Sequence, residues 1–114
     1  MVLKRNRFAD NRIGVRCLKT SPVVEENEFV DNLTGIFMRE GVVDPVVRNN
    51  NFDNQEYDLK LGEGQVHDVD AARNWWAVAA NGKPEDRIFD GGDSEGLGFV
   101  ATDPALSQPW GLGK

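Results

Sequence analysis

Apolar and polar positions alternate most cleanly in two short stretches. Ile13, Val15 and Cys17 alternate with Gly14, Arg16 and Leu18, and Tyr57, Leu59 and Leu61 alternate with Asp58 and Lys60. A period of two puts successive side chains on opposite faces, so both stretches predict strands. Ile36-Phe37-Met38-Arg39, after Thr34-Gly35, predicts a third that ends at Glu40-Gly41. Val42-Val43 and Val46-Val47 flank Asp44-Pro45, and the missing proline N–H restricts this region to an edge strand or a bend. Leu97 to Thr102 offers one more strand, and Ile88-Phe89 forms a short apolar pair.

Two segments read as helices. Ser21-Pro22 followed by Glu25 and Glu26 has the form of a helix start, which predicts a helix over 22–31 against the β-forming Val23, Val24, Phe29 and Val30. The stronger signal is 70–81. Asp68 or Asp70 supplies a cap, alanines at 71, 72, 77, 79 and 80 supply propensity, and Asn81-Gly82 ends it before Pro84. The run Asn49 to Asn54 predicts a loop, because Asn and Asp bond locally to turn backbone. No internal repeat is read from the chain. The expected fold is therefore α+β, mainly β: a small sheet of four or five short strands, one covering helix at about 70–81, and extended N- and C-terminal arms. The expected domain organisation is a basic arm at 1–12, one compact domain at 13–102 and a second arm at 103–114.

Charge and punctuation support those arms. The first twenty residues carry six basic groups (Lys4, Arg5, Arg7, Arg12, Arg16, Lys19) against Asp10, a balance of +5. The remaining 94 carry seven basic and eighteen acidic groups, a balance of −11. Residues 91–114 hold six of the twelve glycines and two of the five prolines. Between the basic first twenty residues and the Gly- and Pro-rich 91–114, about 70 residues remain to build a core, which is marginal by itself. One cysteine excludes an internal disulfide, and one histidine with one cysteine does not make an ordinary zinc site. A protein partner is then the expected stabiliser.

Candidate chemistry is thin. Asp90, Asp93 and Glu95 lie in a Gly-rich loop but lack calcium-loop spacing, so a solvated acidic turn is expected there. His67 with Asp68 and Asp70 reads as a helix entry, and Cys17 as a buried small hydrophobe rather than the nucleophile of a Cys17–His67 pair. No phosphate-binding glycine loop is present. The expectation is a chain without enzymatic activity, cofactor, metal or small-molecule substrate.

Six residues are the candidate partner-binding set: Arg5, Arg7, Arg12, Trp75, Trp76 and Trp110. On the predicted helix Trp75 and Trp76 leave the axis about 100° apart, so one is buried and the other faces the flank of an interface. Trp110 lies among Ser, Gln, Pro and Gly, where only a groove on this chain or a neighbour would hold it. The arginines are expected to pair with carboxylates such as Glu25, Glu26 and Glu28 of a neighbouring copy, with local nucleic-acid contact as a lesser option, since an acidic chain repels phosphate overall. Without a secretory signal or an apolar run of the roughly 18 residues needed to span a bilayer, the expected location is the cytoplasm or a virion.

The function expected is that of a structural assembly subunit, most concretely a virion accessory protein such as a capsid-decorating, head–tail joining or tail component. An acidic regulatory or inhibitory module mimicking nucleic acid, or an accessory subunit of a multi-subunit enzyme, is the alternative.

Overall fold

Six times, a residue with φ between +56° and +66° stands directly before an asparagine: Arg5-Asn6, Asp10-Asn11, Glu26-Asn27, Asp31-Asn32, Asn49-Asn50 and Arg73-Asn74. A single left-handed residue turns an extended chain sharply, and non-glycine residues hold it only when their surroundings compensate. The compensation here is stacking. The computed structural model describes residues 1–111 and winds them into a β-solenoid of successive coils joined by parallel strand pairs.

Coil 1 contains β1 (Val2–Lys4), β2 (Arg7–Ala9) and β3 (Ile13–Leu18). Coil 2 contains β4 (Val23–Glu25), β5 (Glu28–Val30) and β6 (Thr34–Arg39), and coil 3 contains β7 (Val46–Arg48), β8 (Asn51–Asp53) and β9 (Tyr57–Leu61). A shortened fourth coil follows with β10 (Val69–Asp70), β11 (Trp75–Trp76) and β12 (Ile88–Phe89), and β13 (Val100–Ala101) comes last. The sheets run β1-β4-β7, β11-β8-β5-β2, β12-β9-β6-β3 and β10-β13.

Stacking puts like on like. On the inner face Leu3 lies over Val24 and Val47, and Val15 over Ile36, Leu59 and Ile88. The rings of Phe8, Phe29, Phe52 and Trp76 form one column with centroids 5.0, 5.2 and 4.7 Å apart. At the corners Asn6, Asn27, Asn50 and Asn74 form a ladder. The N–H of each of the first three donates to Oδ1 of the next at 2.9–3.0 Å. Their Nδ2 groups reach the coil before: Asn27 to Leu3 O, Asn50 to Val24 O and Asn74 to Val47 O, each at 2.9 Å. Asn11, Asn32 and Asn54 make a second ladder, which Asp58 ends. Beside it, backbones approach so closely that a Cβ on Gly14 would lie 2.7 Å from Gly35 O.

This architecture overturns the expected fold. Among the described residues no helix reaches seven residues, and none is long and apolar enough to cross a membrane. The predicted 70–81 helix is instead β10, a corner at Arg73-Asn74, β11 and a single 3-10 turn at Ala77–Ala80. An isolated helix of a dozen residues is marginal in water. The extended alternative gains the asparagine ladder and the seat of Trp76 on Phe52. The predicted 22–31 helix is β4 and β5 around the left-handed Glu26, so the β-forming side chains prevail over the capping signal. The predicted Asn49–Asn54 loop contains β8 and two ladder residues, because these asparagines bond between coils rather than locally.

The N-terminal arm is also corrected: residues 2–9 are β1 and β2, integral to coil 1. The C-terminal segment runs against the last coil, where Leu106 N–H donates to Asn74 O at 2.9 Å and Pro104 O accepts from Arg73 N–H at 2.6 Å. Leu112 and the rest of 112–114 lie outside the described residues. The chain does repeat. Val-Leu-Lys-Arg-Asn-Arg-Phe at 2–8 returns as Val-Val-Glu-Glu-Asn-Glu-Phe at 23–29 and Val-Val-Arg-Asn-Asn-Asn-Phe at 46–52.

Candidate functional site

Coil 1 is where the stacking pattern is left incomplete. β1, β2 and β3 are the terminal strands of all three long sheets, and among the described residues nothing pairs with their outer edges. In β2 the carbonyl of Asn6 accepts from Glu28 N–H at 2.9 Å, and Asp10 N–H donates to Val30 O at 3.3 Å. Bonding toward coil 2 thus falls on even-numbered positions, and the N–H and C=O of Arg7 and Ala9 point to the open side. Exposed edges of this kind are templates for strand addition unless they are blunted.

The core and the ladders end there too. Leu3 and Phe8 pack against the core but are only half-buried, and Ile13 is likewise half-buried, whereas Val24, Phe29 and Phe52 in the coils below are fully enclosed. Among the described residues no coil lies above Asn6, and its Nδ2 turns to Lys4 O at 3.0 Å. Its Oδ1, the atom that accepts two bonds in Asn27, Asn50 and Asn74, has no donor among the described residues.

Charge follows the same register. Arg5 Nε bonds Glu26 Oε1 at 2.9 Å, Arg7 Nε bonds Glu28 Oε1 at 2.8 Å, and Lys4 stands over Glu25, whose Oε2 receives Arg48 Nε at 3.0 Å from coil 3. The carboxylates expected to meet these arginines from a neighbour belong to the same chain. Both arginines remain well exposed, so each pair contributes little by itself, about 0–1 kcal/mol. Its value lies in setting which coil sits on which. Arg12 is exposed, and its carbonyl accepts Thr34 N–H at 3.0 Å.

The tryptophans sit at the opposite end of the solenoid. Trp75 and Trp76 diverge as neighbours in a strand do: Trp76 is 1% exposed beneath Phe52, and Trp75 is half-buried on the outer face beside Asn51. Trp110 docks on its own chain, donating its N–H to Asn51 Oδ1 at 2.7 Å and accepting Asn51 Nδ2 at 3.0 Å. The three arginines and the three tryptophans are therefore two separate groups.

The remaining candidates serve the backbone. Asp90 accepts from Gly92 N–H and Val100 N–H, Asp93 from Asp90 N–H, Asp68 from Phe99 N–H and Asp70 from Ala72 N–H. Cys17 is in the core, where burial pushes its thiol up to about 11, and His67 is exposed. Among the described residues no three His, Cys, Asp or Glu side chains are grouped to hold a metal ion. Among the described residues Asp58 is the one buried carboxylate, and burial raises it to about 6 against the bonds it accepts from Asn54. Sequence reasoning missed both ladders and the ring column. Their signal was present as asparagines 21, 23 and 24 residues apart, each followed two positions later by an aromatic ring.

No family model, curated protein or solved structure matches this chain.

Proposed function

We propose that this chain is a non-enzymatic assembly subunit that terminates a larger β-structured body, docking end-on through coil 1. The observation that carries the reading is the asymmetry of the two ends. In the last coil β10 is covered by β13 and residues 104–106 bond its corner, leaving only the two-residue β11 and β12 open, whereas coil 1 offers three unpaired strand edges of three to six residues, a half-open core and an unfilled ladder acceptor. Solenoids of stacked repeats need a covered end to stay soluble, and this chain supplies one such end. A component of a virion shell or tail is the concrete form of the proposal, and the acidic regulatory module is its alternative.

The test is cross-linking in the producing cell. Lys4 and Lys19 flank the open edge, so an assembly subunit gives interprotein cross-links at these lysines. Ala9→Pro removes one outward N–H without touching a bond to coil 2, and it abolishes those cross-links while the chain stays folded. Cross-links confined to the chain itself would sink the reading.

A further inference from the structure

We infer that the occupant of coil 1 is an acidic β-coil or extended strand from a different chain, added parallel to β1 and β2. This deepens the assembly reading above and rests on it. The argument is one of register. Within the molecule every junction between coils sets apolar on apolar inside and asparagine on asparagine at the corner, and the first two junctions add base on acid outside. Coil 1 presents Leu3 and Phe8 inside and Asn6 at the corner, with Lys4, Arg5 and Arg7 outside. Coil 2 answers them from below with Val24, Phe29, Asn27, Glu25, Glu26 and Glu28. The vacant side of coil 1 asks for the same answer from above.

Two other occupants fit less well. A second copy meeting coil 1 face to face sets six basic groups against six more, and like charges across an interface cost affinity. A second copy stacked head to tail brings its acidic last coil, but there β10 is already covered by β13, residues 104–106 bond the corner at Arg73-Asn74, and the open edges of β11 and β12 are only two residues long. An oligonucleotide would satisfy the arginines yet leave the outward N–H groups of Arg7 and Ala9 and the apolar ends of Leu3 and Phe8 without partners. Only an acidic extended segment uses the edge, the core and the charge together, in the manner of strand addition to a sheet.

The chain contains a template for its own probe. A synthetic peptide with the sequence of residues 22–40 carries the acids, the asparagine and the phenylalanine in the required order. Titrated into the full-length isotope-labelled chain, it is expected to shift the Arg7 and Ala9 amide resonances saturably. Binding should weaken at least tenfold when the peptide carries lysine in place of Glu25, Glu26 and Glu28, or when the protein is Ala9→Pro. Amide spectra of Ala9→Pro alone confirm that the variant is folded. Undisturbed Arg7 and Ala9 amides at millimolar peptide overturn the inference, as does equal binding of the lysine peptide. A single-stranded oligonucleotide that displaces the acidic peptide from those amides overturns it as well. If interprotein cross-links form at Lys4 while the peptide fails to bind, the assembly reading stands and the acidic-coil partner falls.

Discussion

Asp58 Oδ1 accepts both the N–H of Asn54, at 3.0 Å, and its Nδ2, at 2.9 Å, and so ends the second ladder where a further asparagine would otherwise stand. The carboxyl is 1% exposed and its pKa is raised from 3.8 to about 6, chiefly by burial. Nearby, Arg87 donates to the carbonyls of Asn54 and Gln55 and holds the same corner.

That relationship predicts a pH dependence with a definite sign. The folded chain binds the Asp58 proton more tightly than the unfolded chain does, so unfolding free energy falls as pH rises from about 4 to about 6 and is level above that. The shift corresponds to about 3 kcal/mol at most. Asp58→Asn keeps an acceptor for both Asn54 bonds and removes the charge. Urea unfolding should show the variant more stable than the parent at pH 7, with the gap closing toward pH 4. A constant gap across that range would exclude Asp58 as the titrating group.

The first ladder predicts a gradient of cost along the solenoid. Asn50 accepts Asn27 N–H and Nδ2 and donates to Val24 O and Asn74 Oδ1, all in the buried corner. Asn50→Ala strands several of these groups, at about 1–3 kcal/mol each, so a loss of at least about 3 kcal/mol is expected. Asn6→Ala strands far less, because its Oδ1 serves no donor in this chain, and should cost under about 1 kcal/mol. Equal losses in denaturant unfolding would mean that the ladder is not the support described.

The two examples show what the sequence made legible. Strands at 13–18 and 57–61 follow from alternation alone, since β3 turns Val15 and Cys17 and β9 turns Leu59 and Leu61 to the core. The coils were harder to read because their ladder spacings are 21, 23 and 24 residues, and the uneven turns between strands blur any fixed period. Three-residue strands are also too short to show alternation. Asn49 to Asn54 resembles a turn because local bonding is the usual role of asparagine, and only the coil above and below gives these side chains another. The arginines at 5, 7 and 12 were expected to meet carboxylates such as 25, 26 and 28 of a neighbour, and Arg5 and Arg7 meet Glu26 and Glu28 of their own chain, since pairing type is visible in a sequence and connectivity is not.

Trp76 predicts a contrast between two substitutions at one site. Its indole N–H is buried without an acceptor among the described residues, and its ring continues a column of three phenylalanines. Trp76→Phe keeps the stack and loses no hydrogen bond, so it should cost less than about 1.5 kcal/mol. Trp76→Ala leaves a cavity under Phe52 and should cost about 3–5 kcal/mol. Thermal unfolding that ranks the two alike would show that ring stacking at this position carries no stability.

Removal of residues 103–114 tests the covering of the last coil. Reading the segment as a free arm implies a truncated chain that folds as before and differs only in assembly. The structure implies otherwise. The described part of the segment satisfies Arg73 N–H through Pro104 O and the carbonyl of Asn74 through Leu106 N–H, and Trp110 occupies both polar atoms of the Asn51 side chain. Asn74 and Asn51 are buried, so uncovering them costs about 1–3 kcal/mol for each group left without a partner or reopened to water. The truncated chain should therefore unfold at lower urea by a total of about 2–4 kcal/mol, with faster amide exchange at Arg73 and in β11 and little change in β1 to β3. Stability within about 0.5 kcal/mol of the full chain would remove the segment from the fold and return it to the role of an arm.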